Sequence, residues 1–287
     1  MARFARPATL HEAVSLLPEA PWQVLAGGTD FYPARVDRPI TEPVLDITGM
    51  TELSGITAVD GSWRIGALTT WTDIIQADLP PAFDALKLAA REVGSVQIQN
   101  AGTVAGNLCN ASPAADGVPP LMILDAAVEL TGAAGVRQVE LSDFITGNRQ
   151  TTRQADELVT AILIPDASTV GVSRFRKLGA RRYLVISIAM VAVRLVRDQQ
   201  GAVGHAAISV GSCSEVALRL RSLENDLIGH PADNDLVDCV KPHHFDALSP
   251  IDDIRATADY RRHAAGDLVR QTLLDCIADF DGRERRK

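Results

Sequence analysis

Two glycine-containing segments carry the groups best suited to holding a phosphate-bearing ligand. Residues 26–30 read AGGTD, and residues 102–125 read GTVAGNLCNASPAADGVPPLMILD. Glycine lets a backbone approach a ligand closely and leaves N–H groups free to point at it. The second segment adds short polar side chains, those of Asn107, Asn110, Ser112 and Asp116. Each segment alone also fits a tight structural turn, but two together suit a dinucleotide, which offers two places to be held.

Motifs of other chemistries do not occur in the sequence. Neither glycine segment is a G-x-G-x-x-G that opens a helix, so a Rossmann site is not indicated. The four cysteines, Cys109, Cys213, Cys239 and Cys276, are far apart in the sequence. They form no C-x-x-C motif, so neither an iron–sulfur cluster nor a zinc site is indicated. We expect them to be small buried hydrophobes in a reducing compartment. The sequence shows no recognisable Ser/His/Asp or Cys/His catalytic set, so no metal ligand or nucleophile is predicted.

Two adjacent pairs of titratable residues near the C-terminus have structural explanations. His243 and His244 would point to opposite faces of a strand, so one metal ion would not easily use both. The favoured interpretation is a polar pair in a loop. Asp252 and Asp253 precede the last predicted helix, which favours a capping role over an acid/base dyad.

Composition sets further limits. The chain has 287 residues, 46% of them hydrophobic and 22% charged, which is typical of a globular protein with one large or two ordinary domains. Its net charge of −8 argues against non-specific binding to nucleic acids or anionic membranes. No apolar run reaches the ~18–20 residues of a membrane helix, and the N-terminus lacks the apolar core of a secretory signal. We expect a cytoplasmic protein.

Strands and helices alternate irregularly around the two glycine segments. A strand is predicted over Trp22–Leu25, directly before the AGGTD turn. The apolar run LMILD predicts a helix that packs against the protein core and anchors the second segment. Further strands are predicted at Val44–Ile47, Trp63–Leu68, Ala127–Thr131, Val136–Leu141 and Glu157–Ile164. This mixture favours α+β architecture over regular βαβ repetition.

The pattern changes after a turn-rich boundary near Pro165–Val172. Strands over Phe175–Lys177, Ile186–Val196 and Val203–Gly211 predict an antiparallel sheet. A helix is predicted over Val216–Ile228, and a final helix begins after Ile254. Lys177 stands in a basic cluster with Arg174, Arg176, Arg181 and Arg182. This cluster fits a solvent-facing basic strand and turn, or a surface that meets a partner subunit or an acidic cofactor edge.

The motifs in this order resemble the FAD-binding (medium) subunit of the molybdenum hydroxylases, which include xanthine dehydrogenase, aldehyde oxidoreductase and molybdenum carbon monoxide dehydrogenase. In the first half the resemblance rests on AGGTD, on SVQIQN at 95–100, on GTVAGN at 102–107 and on NASPAAD at 110–116. In the second half it rests on Lys177 with RRY at 181–183, and on DYRR at 259–262.

The resemblance implies an α+β fold with two domains. Residues 1–167 would form a two-lobed FAD-binding domain of the PCMH/vanillyl-alcohol-oxidase type, with lobes at about 1–57 and 58–167. Residues 172–282 would form a smaller domain of antiparallel sheet and helices, similar to the carbon monoxide dehydrogenase flavoprotein C-terminal domain.

The resemblance also assigns FAD-binding residues. AGGTD would hold the pyrophosphate and ribityl through N–H groups and the Thr29 hydroxyl, and a loop over Thr103–Asn107 would approach from the other lobe. Ser112 and Asp116 would bond the ribityl and pyrophosphate region, Val159 would pack near the flavin, and Lys177 would lie at its pyrimidine edge and tune it. The full set is Leu25, Ala26, Gly27, Gly28, Thr29, Asp30, Phe31, Gly102, Thr103, Val104, Ala105, Gly106, Asn107, Ser112, Asp116, Val159 and Lys177.

Two positions depart from the family pattern. Ala105 replaces a usual glycine, which is tolerable if the backbone there is not left-handed. Gln99 replaces an arginine found in many members, so any salt bridge built on that charge is in doubt.

The function implied is one step of an electron relay in an oxidoreductase. A molybdopterin-binding large subunit would oxidise the substrate, and a small subunit with [2Fe–2S] clusters would pass electrons to FAD on this chain, the three assembling as a dimer of heterotrimers. The external acceptor would be NAD⁺, a quinone or oxygen. Two alternatives stay open, a stand-alone FAD-dependent reductase or oxidase and a non-catalytic FAD carrier or assembly partner.

Overall fold

The computed structural model describes residues 3–36 and 38–284, and its first sheet is small and wholly parallel. The three strands of this sheet are β1 (Phe4–Ala5), β2 (Gln23–Leu25) and β3 (Val44–Asp46). β3 lies between the other two. The helix α1 (Leu10–Leu16) connects β1 to β2 and begins where Thr9 accepts a hydrogen bond from the Glu12 N–H at 3.2 Å.

A five-stranded antiparallel sheet follows, in the order β4-β5-β10-β6-β7. Its strands are β4 (Ile56–Val59), β5 (Ser62–Gly66), β6 (Ala127–Gly132), β7 (Gly135–Glu140) and β10 (Glu157–Pro165). Between β5 and β6 the chain forms the helices α2 (Trp71–Gln76), α3 (Asp84–Glu92), α4 (Val96–Ala101), α5 (Val104–Asn110) and α6 (Val118–Ile123). After β7 come α7 (Leu141–Phe144) and a short hairpin of β8 (Ile145–Gly147) and β9 (Gln150–Thr151).

The second half forms a four-stranded antiparallel sheet covered by helices. Its strands, in both chain and sheet order, are β11 (Val172–Leu178), β12 (Ala189–Arg197), β13 (Val203–Gly211) and β14 (Leu218–Arg219). The helices are α8 (Arg221–Leu227) and the long α9 (Ala258–Glu284). Within the described residues, no helix is both long and apolar enough to cross a membrane. The mixed architecture confirms the predicted α+β class.

Each sheet has its own hydrophobic core, and a smaller cluster lies where the two halves meet. Trp71 and Phe83 are fully buried in the core of the five-stranded sheet, and Val193 packs with Leu273 of α9 in the core of the second half. At the junction, Phe175 and Met190 of the second half pack against helices of the first. This apolar contact fixes the orientation of the two halves.

Buried polar groups also cross the junction. The Ser173 hydroxyl on β11 accepts from the Ala85 N–H at 2.8 Å and donates to the Ala82 carbonyl at 2.7 Å, so a side chain of the second half caps the start of α3. Arg194 on β12 is buried and contacts Asp125 at 3.2 Å and the Ile123 carbonyl at 2.8 Å. The ends of two first-half helices therefore depend on second-half side chains.

Three local expectations are wrong. The helix predicted over Val216–Ile228 is shorter, because β14 first pairs with β13 and satisfies the backbone there. Residues 104–107 form the first turn of α5 instead of a loop, because Thr103 caps that helix. Asp252 accepts from the Ala258 N–H at the start of α9 as predicted, but Asp253 binds two arginine side chains instead of capping that helix.

His243 and His244, for which a loop is predicted, lie outside the strands of the structure. Both lie in a 3₁₀ turn (Pro242–Phe245), so their rings are neighbours with centroids 4.1 Å apart. The buried His244 accepts at Nδ1 from the Lys241 N–H at 3.0 Å, so its Nε2 carries the proton and donates to Asp226, also at 3.0 Å. Both ring nitrogens of His244 therefore have protein partners.

The Ser173 cap predicts a stability difference between two serines of the same sheet. Ser173→Ala leaves the buried Ala85 N–H without an acceptor, so we expect a loss of about 1–3 kcal/mol in the free energy of unfolding. Ser209 is equally buried, but its hydroxyl contacts only the Met122 sulfur among the described residues. Urea unfolding of both variants measures the difference, and an equal loss for Ser209→Ala would contradict the capping role.

A second prediction concerns acid stability. Hydrogen bonds from Arg255 and Arg261 hold the pKa of Asp253 well below its usual value. Because the folded pKa lies below the unfolded value of about 3.9, the carboxylate stabilises the fold fully above about pH 5 and progressively less as the pH falls below 4. We therefore expect the difference in Tm between the wild type and Asp253→Asn to be large at pH 7 and to shrink at pH 3.

Asp238→Asn is the control for that measurement. Asp238 is exposed and makes no ion pair within the described chain. Its replacement should leave the Tm unchanged at both pH values. A pH-independent loss in Asp253→Asn would show that the carboxylate charge plays no part.

Candidate functional site

A cleft of about 640 Å³ opens between the three-stranded parallel sheet and the helices that cover the five-stranded sheet. The AGGTD turn lines one side, and the start of α5 lines the other. The predicted residues that line it are Ala26, Gly27, Gly28, Thr29, Asp30, Phe31, Gly102, Thr103, Ala105, Gly106, Asn107 and Val159. The structure therefore brings both glycine segments to one cavity.

The AGGTD turn presents its backbone to the cleft. β2 ends at Leu25, and Gly28 has φ +70°, a left-handed conformation that a side chain would strain. Within the described chain, the N–H groups of residues 27–30 donate to no protein acceptor, and the Thr29 hydroxyl has no hydrogen-bond partner. Unpaired backbone donors at an open cleft suit phosphate oxygens.

Gly27 brings the two sides of the cleft together. A Cβ on Gly27 would lie 1.9 Å from the Ala101 carbonyl oxygen and 2.9 Å from the Gly102 Cα. The backbones of the two segments are therefore in direct contact, which only glycine permits. Gly102 is itself anchored, because its carbonyl accepts from the Trp71 N–H at 3.1 Å.

The other side of the cleft is the capped start of α5. The Thr103 hydroxyl accepts from the Gly106 N–H at 3.0 Å, and the Thr69 carbonyl accepts from the Val104 N–H. Ala105 lies in this helix and does not have a positive φ. The methyl group that replaces the family glycine is therefore accommodated without backbone strain.

Three arginines give the cleft a positive lining. Arg35, Arg149 and Arg153 line it, and among its lining residues Asp30 is the one carboxylate. Arg149 bridges the two sides, because its guanidinium lies 3.1 Å from Asp30 and also contacts the Asn110 amide oxygen. Arg35 stacks on the Phe31 ring at 3.8 Å. Guanidinium groups at the wall of a cleft suit a pyrophosphate, whose oxygens accept charge-assisted hydrogen bonds from them.

Sequence reasoning missed these arginines. Arg149 stands in the tight turn between β8 and β9, where its φ of +61° and the bond from its N–H to the Ala111 carbonyl aim it at the cleft. Nothing in its local spacing distinguishes it from other surface arginines. Gln99 carries no charge, does not line the cleft within the described chain, and donates to the Arg91 carbonyl.

The remaining predicted residues do not line this cleft in the part of the chain that the structure describes, namely Leu25, Val104, Ser112, Asp116 and Lys177. Leu25 and Val104 are buried beside it. The Ser112 hydroxyl accepts from the Ala114 N–H at 3.3 Å and so shapes its own turn.

Asp116 and Lys177 form a buried ion pair that joins the two halves. The Lys177 Nζ lies 2.6 Å from Asp116, and the Ser187 hydroxyl donates to the second carboxylate oxygen at 2.7 Å. Burial raises the pKa of Asp116, and the Lys177 ammonium opposes that shift. The carboxylate therefore depends on Lys177 to stay ionised, and the role of either residue toward a cofactor stays a prediction.

Cys109 lines the cleft, and within the described residues it belongs to no group of three or more possible metal ligands. The protein atoms around its thiol raise its pKa to about 11, although the residue is exposed at the cleft wall. At neutral pH it is a neutral thiol, which suits packing better than ligation or nucleophilic attack.

The donor set fits a dinucleotide such as FAD. Free N–H groups on one side, a helix start on the other and the arginine lining would receive the pyrophosphate. Apolar side chains also line the cleft, namely Trp22, Val24, Ile47, Leu158 and Val159.

Comparisons with known proteins agree with this geometry. Residues 1–167 match the family model of the FAD binding domain in molybdopterin dehydrogenase, and residues 173–276 match that of the CO dehydrogenase flavoprotein C-terminal domain. The chain is 31% identical to the nicotinate dehydrogenase FAD-subunit of Eubacterium barkeri, with 97% of each chain covered. It is 29% identical to the xanthine dehydrogenase FAD-binding subunit of Escherichia coli O157:H7, with 98% of each covered.

Solved structures give the same result. A chain of the carbon monoxide dehydrogenase from Hydrogenophaga pseudoflava superimposes with a TM-score of 0.85 at 27% identity, with 96% of this chain and 97% of that chain covered. Sequence and structure thus agree over nearly the whole length. The chain belongs to the family of FAD-binding medium subunits of the molybdenum hydroxylase-type dehydrogenases.

Proposed function

We propose that this chain is the FAD-binding subunit of a multi-subunit molybdenum hydroxylase, taking electrons from [2Fe–2S] clusters of a small partner subunit and delivering them to an external acceptor such as NAD⁺, a quinone or oxygen. A molybdopterin-binding large subunit completes the assembly, as a dimer of heterotrimers. The observation that carries the proposal is the two-sided cleft, where unpaired backbone donors face an arginine-rich wall.

The cleft residues divide the binding work in this proposal. The N–H groups of residues 27–30 and the guanidinium of Arg149 hold the pyrophosphate, and the Thr29 hydroxyl bonds the adjoining ribityl. The start of α5 approaches from the second lobe, and Val159 packs against the ring. FAD, when bound, supplies the redox chemistry, while the protein orients it and sets its electrostatic environment.

Asp116 and Lys177 act from outside the cleft lining. Their ion pair holds the Lys177 ammonium in a buried place next to the second glycine segment, because Gly117 follows Asp116 and donates to the cleft residue Asn107. A fixed ammonium near the cofactor favours added negative charge. We propose that residues 1–167, with lobes at 1–57 and 58–167, form the FAD-binding domain, and that residues 172–282 supply this lysine from the second domain.

FAD affinity tests the cleft directly. Gly27→Ala would push its methyl group into the Ala101 carbonyl and separate the two sides, so we expect at least about a tenfold rise in the Kd for FAD. Gly49→Ala is the matched control, because a Cβ there meets nothing closer than 3.5 Å. Titration of the flavin-free variants with FAD, followed by flavin fluorescence, measures the Kd.

Arg149→Ala accompanies these variants because its side chain is half-exposed and its loss spares the core. The lost charge should also weaken FAD binding about tenfold, and more at low ionic strength than at high. Unchanged affinity in both Gly27→Ala and Arg149→Ala would move the cofactor site away from this cleft.

Electron delivery tests the relay. The FAD-loaded chain is mixed with the dithionite-reduced, desalted iron–sulfur chain that co-purifies with it, and bleaching of the flavin is followed. We expect rapid reduction only when the reduced iron–sulfur chain is present, because that chain is the electron donor in the mixture. The control replaces that chain with its oxidised form.

The alternatives give different outcomes in the same experiment. Full oxidase or reductase turnover by the isolated chain would replace the relay with a stand-alone flavoprotein. A flavin that stays oxidised in the assembled complex would make the chain a carrier without electron transfer.

A further inference from the structure

A loop of the second half reaches the turn that carries Arg149. This loop, residues 212–217, joins β13 to β14. Its Glu215 carboxylate accepts a hydrogen bond at 3.2 Å from the N–H of Asn148, the residue directly before Arg149. Because Arg149 lines the cleft, a side chain of the second half contacts a segment that supplies part of the cleft wall.

The carboxylate of Glu215 lies against the turn between β8 and β9. A Cβ on Gly147, the last residue of β8, would be 3.0 Å from the Glu215 Oε1 and 3.4 Å from the Gln150 Oε1. A glycine at this position therefore leaves the space that the carboxylate occupies. The same Oε1 atom accepts from the N–H of the next residue, Asn148.

Arg149 has a backbone conformation that needs support from its surroundings. Its φ of +61° lies in the left-handed region, which residues with a Cβ rarely adopt. The Ala111 carbonyl accepts from the Arg149 N–H at 2.9 Å, and Glu215 accepts from the N–H of the preceding Asn148. Two successive N–H groups of this turn are thus held by two different parts of the chain.

The loop that carries Glu215 is itself attached to the first half at both ends. The Ser212 N–H donates to the Pro113 carbonyl at 3.1 Å. At the other end of the loop, Ala217 is buried in the core of the five-stranded sheet. These two attachments fix the position of Glu215 relative to the cleft.

The turn determines where the Arg149 side chain points. The guanidinium lies 3.1 Å from Asp30 and also contacts the Asn110 amide oxygen, so it extends from one side of the cleft to the other. A guanidinium binds phosphate oxygens through donors in a fixed plane, and binding is tightest when that plane is already oriented. A turn that could relax would lose this orientation, and a ligand would have to restore it at a cost in affinity.

The negative charge of Glu215 is not what this role requires. A carboxylate near a phosphate site repels the ligand, so the charge by itself would weaken binding. The Asn148 N–H needs only an oxygen acceptor, and an amide oxygen on a side chain of the same length supplies one. The effect of the acceptor and the effect of the charge can therefore be separated by substitution.

We propose that Glu215 is a positioning residue for FAD, which acts through Arg149 and makes part of the pyrophosphate site depend on the second half. This inference rests on the proposed function, in which Arg149 holds the pyrophosphate. The Glu215 oxygen fixes the Asn148 N–H, and the turn then keeps the Arg149 guanidinium in the orientation that the ligand needs.

The affinity for FAD tests this role with two substitutions at one position. Glu215→Ala removes the acceptor, so we expect the Kd for FAD to rise about fivefold. Glu215→Gln keeps an oxygen without the charge, so its Kd should not exceed the wild-type value. Asp246→Ala is the control, because Asp246 is an exposed carboxylate of the second half whose side chain makes no hydrogen bond or ion pair within the described residues. Titration of the flavin-free chains with FAD, followed by flavin fluorescence, measures each Kd.

A double-mutant cycle tests whether Glu215 acts through Arg149. In the Arg149→Ala background, Glu215→Ala should raise the Kd no further, because the side chain that the turn positions is gone. Amide hydrogen exchange of the flavin-free chain gives an independent readout. Exchange at Asn148 should be at least about threefold faster in Glu215→Ala than in Glu215→Gln, because only the second variant keeps the acceptor.

Equal rises in the Kd for Glu215→Ala and Glu215→Gln would overturn the positioning role, and so would a full fivefold effect of Glu215→Ala in the Arg149→Ala background. An unchanged Kd for Glu215→Ala, with Arg149→Ala still weakening binding, would overturn this inference and leave the proposed function intact. Normal FAD binding by Arg149→Ala and Gly27→Ala as well would remove the cofactor from this cleft, which separates the two failures.

Discussion

The site depends on one close backbone contact. Gly27 lies against the carbonyl of Ala101 with no room for a Cβ, so the strand end of the first sheet and the segment before α5 meet directly. This contact joins the two segments at the cleft, and the N–H groups of residues 27–30, which line it, donate to no acceptor within the described chain. The hydrogen bonds of Trp71 and Val104 then hold the second side in place, so the cleft is formed by backbone groups on rigid elements.

Electrostatics adds selectivity to this backbone frame. The chain as a whole is acidic, yet the cleft carries three arginines and one carboxylate. Arg149 contacts Asp30 from across the cleft and thereby links the two sides without a ligand. A pyrophosphate that competes with Asp30 for this guanidinium would keep the same bridge and add charge-assisted hydrogen bonds. The same residue can therefore join the two sides of the cleft and bind an anion.

The sequence predicts features that depend on neighbours in the chain. The strand before AGGTD and the apolar helix after NASPAAD both follow from residues within four positions of each other, and both are found. The α5 turn was missed because the glycines around Thr103 suggest a loop, although Thr103 itself is a cap residue. Contacts between residues far apart in the chain could not be predicted, because no pattern of neighbouring residues indicates them. Arg149 and the Asp116–Lys177 pair are of this kind, because the paired residues come from separate segments.

The Asp116–Lys177 pair shows why the two halves must act as one unit. Removing two charges from water costs more free energy than their mutual attraction returns, unless further hydrogen bonds satisfy both groups. Ser187 supplies such a bond to Asp116, and the Ser187 backbone in turn anchors the loop before α9. If the second half shifted, the Asp116 carboxylate would lose its ammonium partner. Burial already raises the pKa of this carboxylate. The pair therefore couples the position of the loop before α9 to the second glycine segment, so the two halves of the chain hold the wall of the cleft together.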